Sequence, residues 1–228
     1  TLLAAISHDV RTPLTALIGL SESLQRSLPP LEKQQSGLAQ AITQQARQLS
    51  ALVTNLLDMA RLQNGAVSLQ REWQSVEEVV GSAIRAAQPA LDGRAVQTDI
   101  PPDLPLVEFD AVLMERVLVN LLENAAKYGA PPFEVRAIAT PDRLFLTVRD
   151  HGPGLPPAML GREAELFEKF TRGQSESATP GVGLGLAICR AIVDAHRGDI
   201  VAGNAPEGGA EFTMTLPRSS PPEPVPER

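Results

Sequence analysis

His8-Asp9-Val10-Arg11-Thr12-Pro13 places an imidazole, a carboxylate and a hydroxyl within two helical turns, with Thr12 on His8's face at i, i+4. An exposed imidazole beside a carboxylate is held in one tautomer, and its other nitrogen is then nucleophilic. Asn120, Asn124 and Lys127 fall at i, i+4, i+7 and share a second helix face. Amide carbonyls suit a hard cation such as Mg²⁺, held together with water and phosphate oxygens, and the lysine would offset phosphate charge. In Asp150-His151-Gly152-Pro153-Gly154 a carboxylate ends an apolar row of Leu144, Leu146 and Val148. A carboxylate there needs a partner, and an adenine amino group is a suitable one because the carboxylate only accepts. Gly152 and Gly154 let the backbone turn closely around a base. Finally, Gly181-Val182-Gly183-Leu184-Gly185 runs straight into an apolar helix, whose N-terminal N–H groups and dipole favour phosphate.

Each motif also has a plainer reading. His8 fits a solvated surface histidine, and the Asn-Lys stripe a solvated helix face, although asparagine is a poor helix former to use twice. Asp150 and its glycines fit an Asx-type turn. The glycine box fits a flexible hinge. It is not a dinucleotide fingerprint, because the preceding segment 173–180 is polar and loop-like instead of a strand. Nor is it a P-loop, since Gly185 is followed by Leu186-Ala187 where Lys-Ser/Thr is required. Before it, Phe167, Lys169, Phe170 and Arg172 offer aromatics and cations, with a hydrophobic loop anchor as the alternative for the two rings.

The elements that must position these groups are readable from periodicity. Residues 1 to about 63 read as two helices broken at Leu28-Pro29-Pro30. In the first, Leu3, Val10, Leu17 and Leu24 recur every seven residues, with Ile6, Leu14 and Leu20 filling the same side. His8 then falls on the solvent side of that heptad. Leu38, Ile42, Leu49, Val53, Leu56 and Met59 continue the pattern to a stop at Asn64-Gly65. Such a hairpin buries little by itself, so it is expected to pair with a second copy as a four-helix bundle; a coiled-coil spacer without chemistry is the alternative.

Residues 73–217 read differently. Helices are predicted at about 76–87, 110–128 and 184–196, and strands at 95–100, 133–139, 144–148 and near Ile200 and Phe212. Residues 151–181 read as a Gly-, Pro- and Ser-rich loop. Strands and helices mix without a regular strand-helix-strand repeat, which predicts a two-layer α/β sandwich. The expected division is a dimerisation unit at 1–65, a linker at 66–72, a globular domain at 73–217 and a disordered proline-rich tail at 218–228.

Composition narrows the functional classes. A net charge of −7 gives no basic face for nucleic acid. Cys189, the one cysteine, cannot form an internal disulfide. No apolar run reaches the roughly 18 residues of a membrane span, and the abrupt amphipathic start reads as a fragment whose upstream sensing part is missing.

Taken in order, these motifs resemble the histidine kinase family of two-component systems over residues 1 to about 217. The stretches SHDVRTPLT, NLLDMARLQNG, EWQSVEEVVGSA, ERVLVNLLENAAKY and PGVGLGLAICRAIVDAH resemble its potassium-responsive branch. The resemblance implies a dimerisation and histidine-phosphotransfer domain followed by an ATP-binding domain of the gyrase/Hsp90/histidine-kinase type. It implies a membrane-anchored bacterial sensor of which this is a cytoplasmic portion. His8 would be the phosphoacceptor, Asp9 would orient or deprotonate it, and Thr12 would position water in the reverse, phosphatase reaction. Asn124 would ligate Mg²⁺ with help from Asn120, while Lys127 and Tyr128 would face the phosphates of ATP. Asp150 would read adenine, with Gly152 and Gly154 around it. Gly181, Gly183, Leu184 and Gly185 would flank the phosphates under a lid bearing Phe170, with Lys169 and Arg172 reaching the γ-phosphate. A response-regulator receiver domain would take the phosphoryl group. His151 is a departure, since the family commonly has Asn there, and the neighbouring Asp and Gly are expected to carry the contact regardless.

Two other classes are weighed. A non-catalytic nucleotide binder of the same fold would not need His8. A gyrase- or Hsp90-type ATPase would place a water-activating carboxylate one turn before the metal-binding Asn, where this chain has Asn120.

Overall fold

The structure, a computed structural model, describes residues 2–27, 30–63, 69–168 and 185–219; of residues 2–11, 48, 51–52 and 54–63 it describes the backbone alone. The chain divides into two compact units, Thr1–Val67 and Ser68–Arg228.

The first unit is a helical hairpin of α1 (Leu2–Gln25) and α2 (Lys33–Gln63), with Pro13 inside α1. Its inner seam differs from the predicted heptad. Mostly small and polar side chains meet there: Ser21, Ala39, Thr43 and Ala46 are buried together with Leu14, whereas Leu20 is 69% exposed and Leu17, Leu24, Leu38 and Ile42 are also exposed. The Ser21 hydroxyl donates to the Ala39 carbonyl (2.7 Å), the Thr43 hydroxyl lies 2.9 Å from Ser21 Oγ, and Gln25 Nε2 donates to Thr43 Oγ1 (3.0 Å). Small residues let the two backbones approach, and buried hydroxyls must be satisfied, so these positions take the interior. Leu14 joins them, and the other described leucines of the predicted heptad remain outside.

The second unit has a five-stranded sheet in the order β2 (Val96–Asp99), β4 (Phe133–Ala139), β5 (Arg143–Arg149), β7 (Ala210–Pro217), β6 (Asp199–Asn204). β2 is parallel to β4, and the other neighbours are antiparallel. Alternation assigns its faces: Phe133, Val135, Leu144, Leu146, Val148 and Met214 are buried, and Glu134, Arg136 and Thr147 stand on the other side. Helices α3 (Val76–Leu91), α4 (Ala111–Tyr128) and α5 (Gly185–Ala195) supply the second layer. This is the expected two-layer sandwich.

Several local features depart from the expectation. Helix α3 continues past Ala87 through Pro89 to Leu91, because a proline in the last turn forfeits one bond while Leu91 gains full burial. A two-stranded sheet of β1 (Glu72–Gln74) and β3 (Val107–Phe109), whose partners are far apart in sequence, was not predicted. Gln70 and Arg71, assigned to the linker, bond into the second unit: Gln70 N donates to Asp110 Oδ2 (3.0 Å) and Arg71 Nη2 to the Ala195 carbonyl (3.0 Å). Part of the predicted loop contains two short 3₁₀ turns, Pro157–Met159 and Glu163–Phe167, anchored by buried Leu155, Leu166 and Phe167. Arg218, assigned to the tail, donates from its backbone N and its Nη1 to the Asp142 and Thr140 carbonyls.

Candidate functional site

α4 is started by Asp110, whose Oδ1 accepts from Leu113 N (3.1 Å), and stopped at Gly129, whose N–H reaches the Ala125 carbonyl. Met114, Val117, Leu118, Leu121, Leu122 and Ala125 bury one side. That fixes the rotation of the helix and turns Asn120, Asn124 and Lys127 to the other side, where all three are half-buried. Asn120 Nδ2 is buried and has no hydrogen-bond partner among the described residues. The thiol of Cys189 on α5 lies near it, pushed up to about 12 by burial against smaller opposing effects of Arg116 and the Asn120 amide. A Cβ added to Gly185, the first residue of α5, would sit 3.6 Å from Asn120 Oδ1. The end of the glycine box is therefore against the asparagine stripe.

Along this stripe partial desolvation raises the pKa of the largely exposed Glu123 carboxyl, and Lys127 one turn on lowers it. Lys127 Nζ is 4.9 Å from the centroid of the Tyr128 ring, which is 54% exposed at the helix end.

Asp150 directly follows β5 and is 5% exposed. Its backbone N donates to the Ala210 carbonyl, extending the β5–β7 ladder by one rung. Oδ1 accepts from Gly152 N (2.8 Å) and Ala210 N (3.3 Å), whereas Oδ2 takes no hydrogen bond from the described residues. A nearly buried carboxylate with one oxygen secured and the other open is a ready acceptor for an amino group. Asx-type geometry and the ligand reading coexist here, since Oδ1 makes the turn.

Glycines allow this approach. A Cβ on Gly129 would run into the Asp150 carboxyl, and one on Gly152 would come within 2.6 Å of Gly129 Cα. Gly209, at φ +88°, passes directly over the Asp150 carbonyl. The following segment is held by Asn204 on β6, whose Oδ1 accepts from Leu155 N (2.7 Å) and lies against Gly154 at φ +81°. α4 thus runs from the glycine-box helix near Asn120 to the Asp150 recess at Gly129, about 13 Å along its axis.

Among the predicted site residues, Asn120 and Gly185 come together, as do Asp150, Gly152 and Gly154. His8 and Asp9 lie on α1, but their side chains are outside the described residues; Thr12 is exposed on the same helix. Lys169, Phe170, Arg172, Gly181, Gly183 and Leu184 also lie outside the described residues. Phe167 packs edge-to-face with Phe212 at 6.4 Å and has Arg190 over its ring, which is the loop-anchor role. Sequence reasoning missed Gly129, Asn204, Gly209 and Glu134. The Gly208-Gly209 pair was a usable signal for close backbone approach; Asn204 and Glu134 carried none.

Two family models match the chain. The His Kinase A (phospho-acceptor) domain matches residues 1–65, and the histidine kinase-, DNA gyrase B-, and HSP90-like ATPase matches residues 109–220. This chain belongs to the histidine kinases. The kinase core is 50% identical over 97% of its length to the sensor protein KdpD of Escherichia coli (strain K12), and 33% identical over 95% to that of Clostridium acetobutylicum. It spans about a quarter of the length of these curated relatives, 25% and 24% respectively. Among solved structures, full-length ShkA in complex with AMPPNP matches 98% of the chain with a TM-score of 0.77 and 28% identity, the chain covering 47% of ShkA. The histidine-kinase order of motifs read from the sequence agrees with these matches, and the second unit is an ATPase domain of the ATP-binding type.

Proposed function

We propose that this histidine kinase core binds Mg-ATP, phosphorylates its own His8 and passes the phosphoryl group to an aspartate of a response regulator in potassium-responsive signalling. The observation that carries the reading is Asp150, a nearly buried carboxylate with one oxygen bound to backbone and the other open, at the end of a helix bearing Asn120, Asn124 and Lys127. That arrangement supports adenine at Asp150, with Gly152 and Gly154 around the base. The phosphates would run along α4 past Lys127 and Tyr128 to the N-terminus of α5 at Gly185. Gly181, Gly183 and Leu184, with Lys169, Phe170 and Arg172, would close over the phosphates. ShkA, solved with AMPPNP, is a relative in which such a nucleotide is bound.

The residues suit Mg²⁺ held chiefly by phosphate and water. Among the described residues no three His, Cys, Asp or Glu side chains cluster as a metal cage, and the stripe offers amide oxygens instead. Asn124, assisted by Asn120, would hold the ion through amide oxygens; the unpartnered Asn120 Nδ2 is a donor that a phosphate oxygen would satisfy. When bound, Mg²⁺ neutralises charge on the transferring phosphate. Lys127 adds positive charge on the same face, and the free N–H groups of α5 add their dipole.

His8 attacks the γ-phosphorus through one ring nitrogen as the bond to the ADP oxygen breaks, and Asp9 accepts the proton from the other side of the ring. The nucleotide domain would swing on the linker that precedes it to bring the γ-phosphate to His8; Gln70 and Arg71 are bonded into the second unit. Thr12 would orient water when the phosphorylated regulator is dephosphorylated. The exposed leucines of α1 and α2 support a homodimer through residues 1–65 as a four-helix bundle, on which a KdpE-like receiver domain would dock near His8. No helix among the described residues is long and apolar enough to cross a membrane. We assign this region to the cytoplasmic side of a bacterial inner-membrane sensor, on the strength of its likeness to KdpD.

Incubation with γ-labelled ATP tests the proposal. Acid-labile, base-stable label is expected, abolished in His8→Ala and in Asn124→Ala. Steady ATP turnover without phosphoprotein would instead identify a hydrolase, and undiminished labelling of Asn124→Ala would refute the metal assignment.

A further inference from the structure

The segment that leaves β5 after Asp150 is gripped from two sides. On the inner side Gly129, Ala210 and Asn204 hold Asp150 and Leu155. On the outer side the grip is His151. Its backbone N–H donates to the Ala130 carbonyl (2.8 Å), and its Nε2 lies 2.6 Å from Oε1 of Glu134, the second residue of β4. The two side chains are only 26% and 24% exposed. A short hydrogen bond to a carboxylate in a mostly covered position is stronger than an ordinary surface contact. Glu134 is itself braced: its Oε2 is 3.9 Å from Arg136 Nη2, and Arg136 Nε donates to Asp99 Oδ2 (3.0 Å) on β2. A chain of polar contacts therefore runs across the outer face of the sheet and ends at the residue after Asp150.

We infer that the His151–Glu134 hydrogen bond is a positioning device that sets the orientation of the Asp150 carboxylate and so determines adenine affinity and selectivity. The inference rests on the reading of Asp150 as the adenine contact. Gly152 has no side chain and its N–H is already taken by Asp150 Oδ1, so between Asp150 and Pro153 only His151 can fix the turn from outside. Rotation of the His151 peptide would swing the neighbouring carboxylate and break the Gly152 N–H contact. His151 never touches the base; it acts through Asp150.

The test uses the whole chain and compares dissociation constants for ADP and GDP. His151→Ala and Glu134→Ala are each expected to weaken ADP about fivefold, ~1 kcal/mol, while GDP, which lacks the amino group that Asp150 would read, changes little. The double variant should be no weaker than either single one. His151→Gln, whose side-chain amide can donate from nearly the Nε2 position, should recover most of the affinity. Loss of stability alone would weaken both nucleotides together, leaving the ADP-to-GDP ratio unchanged, and Gln would then rescue both equally. An unchanged ADP constant in His151→Ala and Glu134→Ala, effects on ADP that multiply in the double variant, or an unchanged ratio would overturn the inference. Should His151→Ala fail to fold, Glu134→Gln and His151→Gln decide it by the same ratio. Asp150→Asn separates the two layers: if it weakens ADP and His151→Ala does not, the positioning role alone falls. If it leaves ADP binding intact, the adenine reading falls with it.

Discussion

Asp150 illustrates how one side chain can serve fold and ligand together. Oδ1 closes a turn with Gly152 N and is shared with Ala210 N, so the residue is held whether or not a base is present. Its neighbour Asn204 secures the exit of the segment with a 2.7 Å bond to Leu155 N. Replacing Asn204 by Ala removes a part-buried bond worth about 1 kcal/mol. The KM for ATP in autophosphorylation should rise roughly fivefold with kcat nearly unchanged, since the loss falls on binding and not on transfer. Gly209 permits no such latitude. Its φ of +88° and the collision of any Cβ with the Asp150 carbonyl make Gly209→Ala strongly destabilising, by about 2 kcal/mol or more, read as a lower urea midpoint of the second unit.

At the scale of elements, α4 and α5 are joined by a buried histidine the motifs did not use. His196, 2% exposed at the end of α5, donates from Nδ1 to the Ile192 carbonyl (2.8 Å), and its Nε2 accepts from Asp110 N (3.0 Å). The same Asp110 caps α4 and receives Gln70 N. Only the neutral ring can accept at Nε2; a protonated ring would set N–H against N–H. Burial accordingly lowers the pKa of His196 below 6.5, with Arg71 adding to the effect while the Ile192 bond and Asp110 oppose it. A lowered value means that the unfolded chain binds the proton better. The stabilising contribution is complete above about pH 6.5 and is lost as pH falls below it through the folded value. Urea unfolding should show a lower midpoint at pH 5.5 than at pH 8, and the difference should shrink in His196→Gln. An equal drop in both proteins would assign the effect to other groups.

For the molecule as a whole, the helical hairpin is the unit that needs a partner. Its seam is built from Ser21, Ala39, Thr43 and Ala46, and leucines that would normally be interior are turned outward. A second hairpin covering them would bury about 25 cal/mol for each Å² of apolar surface. Leu20→Glu and Ile42→Glu should each shift the proposed dimer toward monomer in sedimentation equilibrium. Thermal unfolding of the ATP-binding unit should stay within about 0.5 kcal/mol of the parent, because the two units have separate cores. A variant that stays dimeric would locate the interface elsewhere.

The sequence by itself determined what is local. Period-3.6 apolar rows specified the helices, alternation specified β4 and β5, and motif order identified a kinase with a phosphoacceptor domain and a nucleotide domain. Those signals depend on residues a few positions apart, so they are written along the chain. Tertiary structure alone decided which face of the hairpin is inside, because small residues at Ser21, Ala39 and Ala46 permit a closer helix approach than the leucine heptad does. It also decided the pairing of Glu72–Gln74 with Val107–Phe109 and the grip of Glu134, Asn204 and Gly209 around Asp150. These contacts arise from strand register and helix packing between segments far apart in the chain, and no spacing in the sequence encodes them.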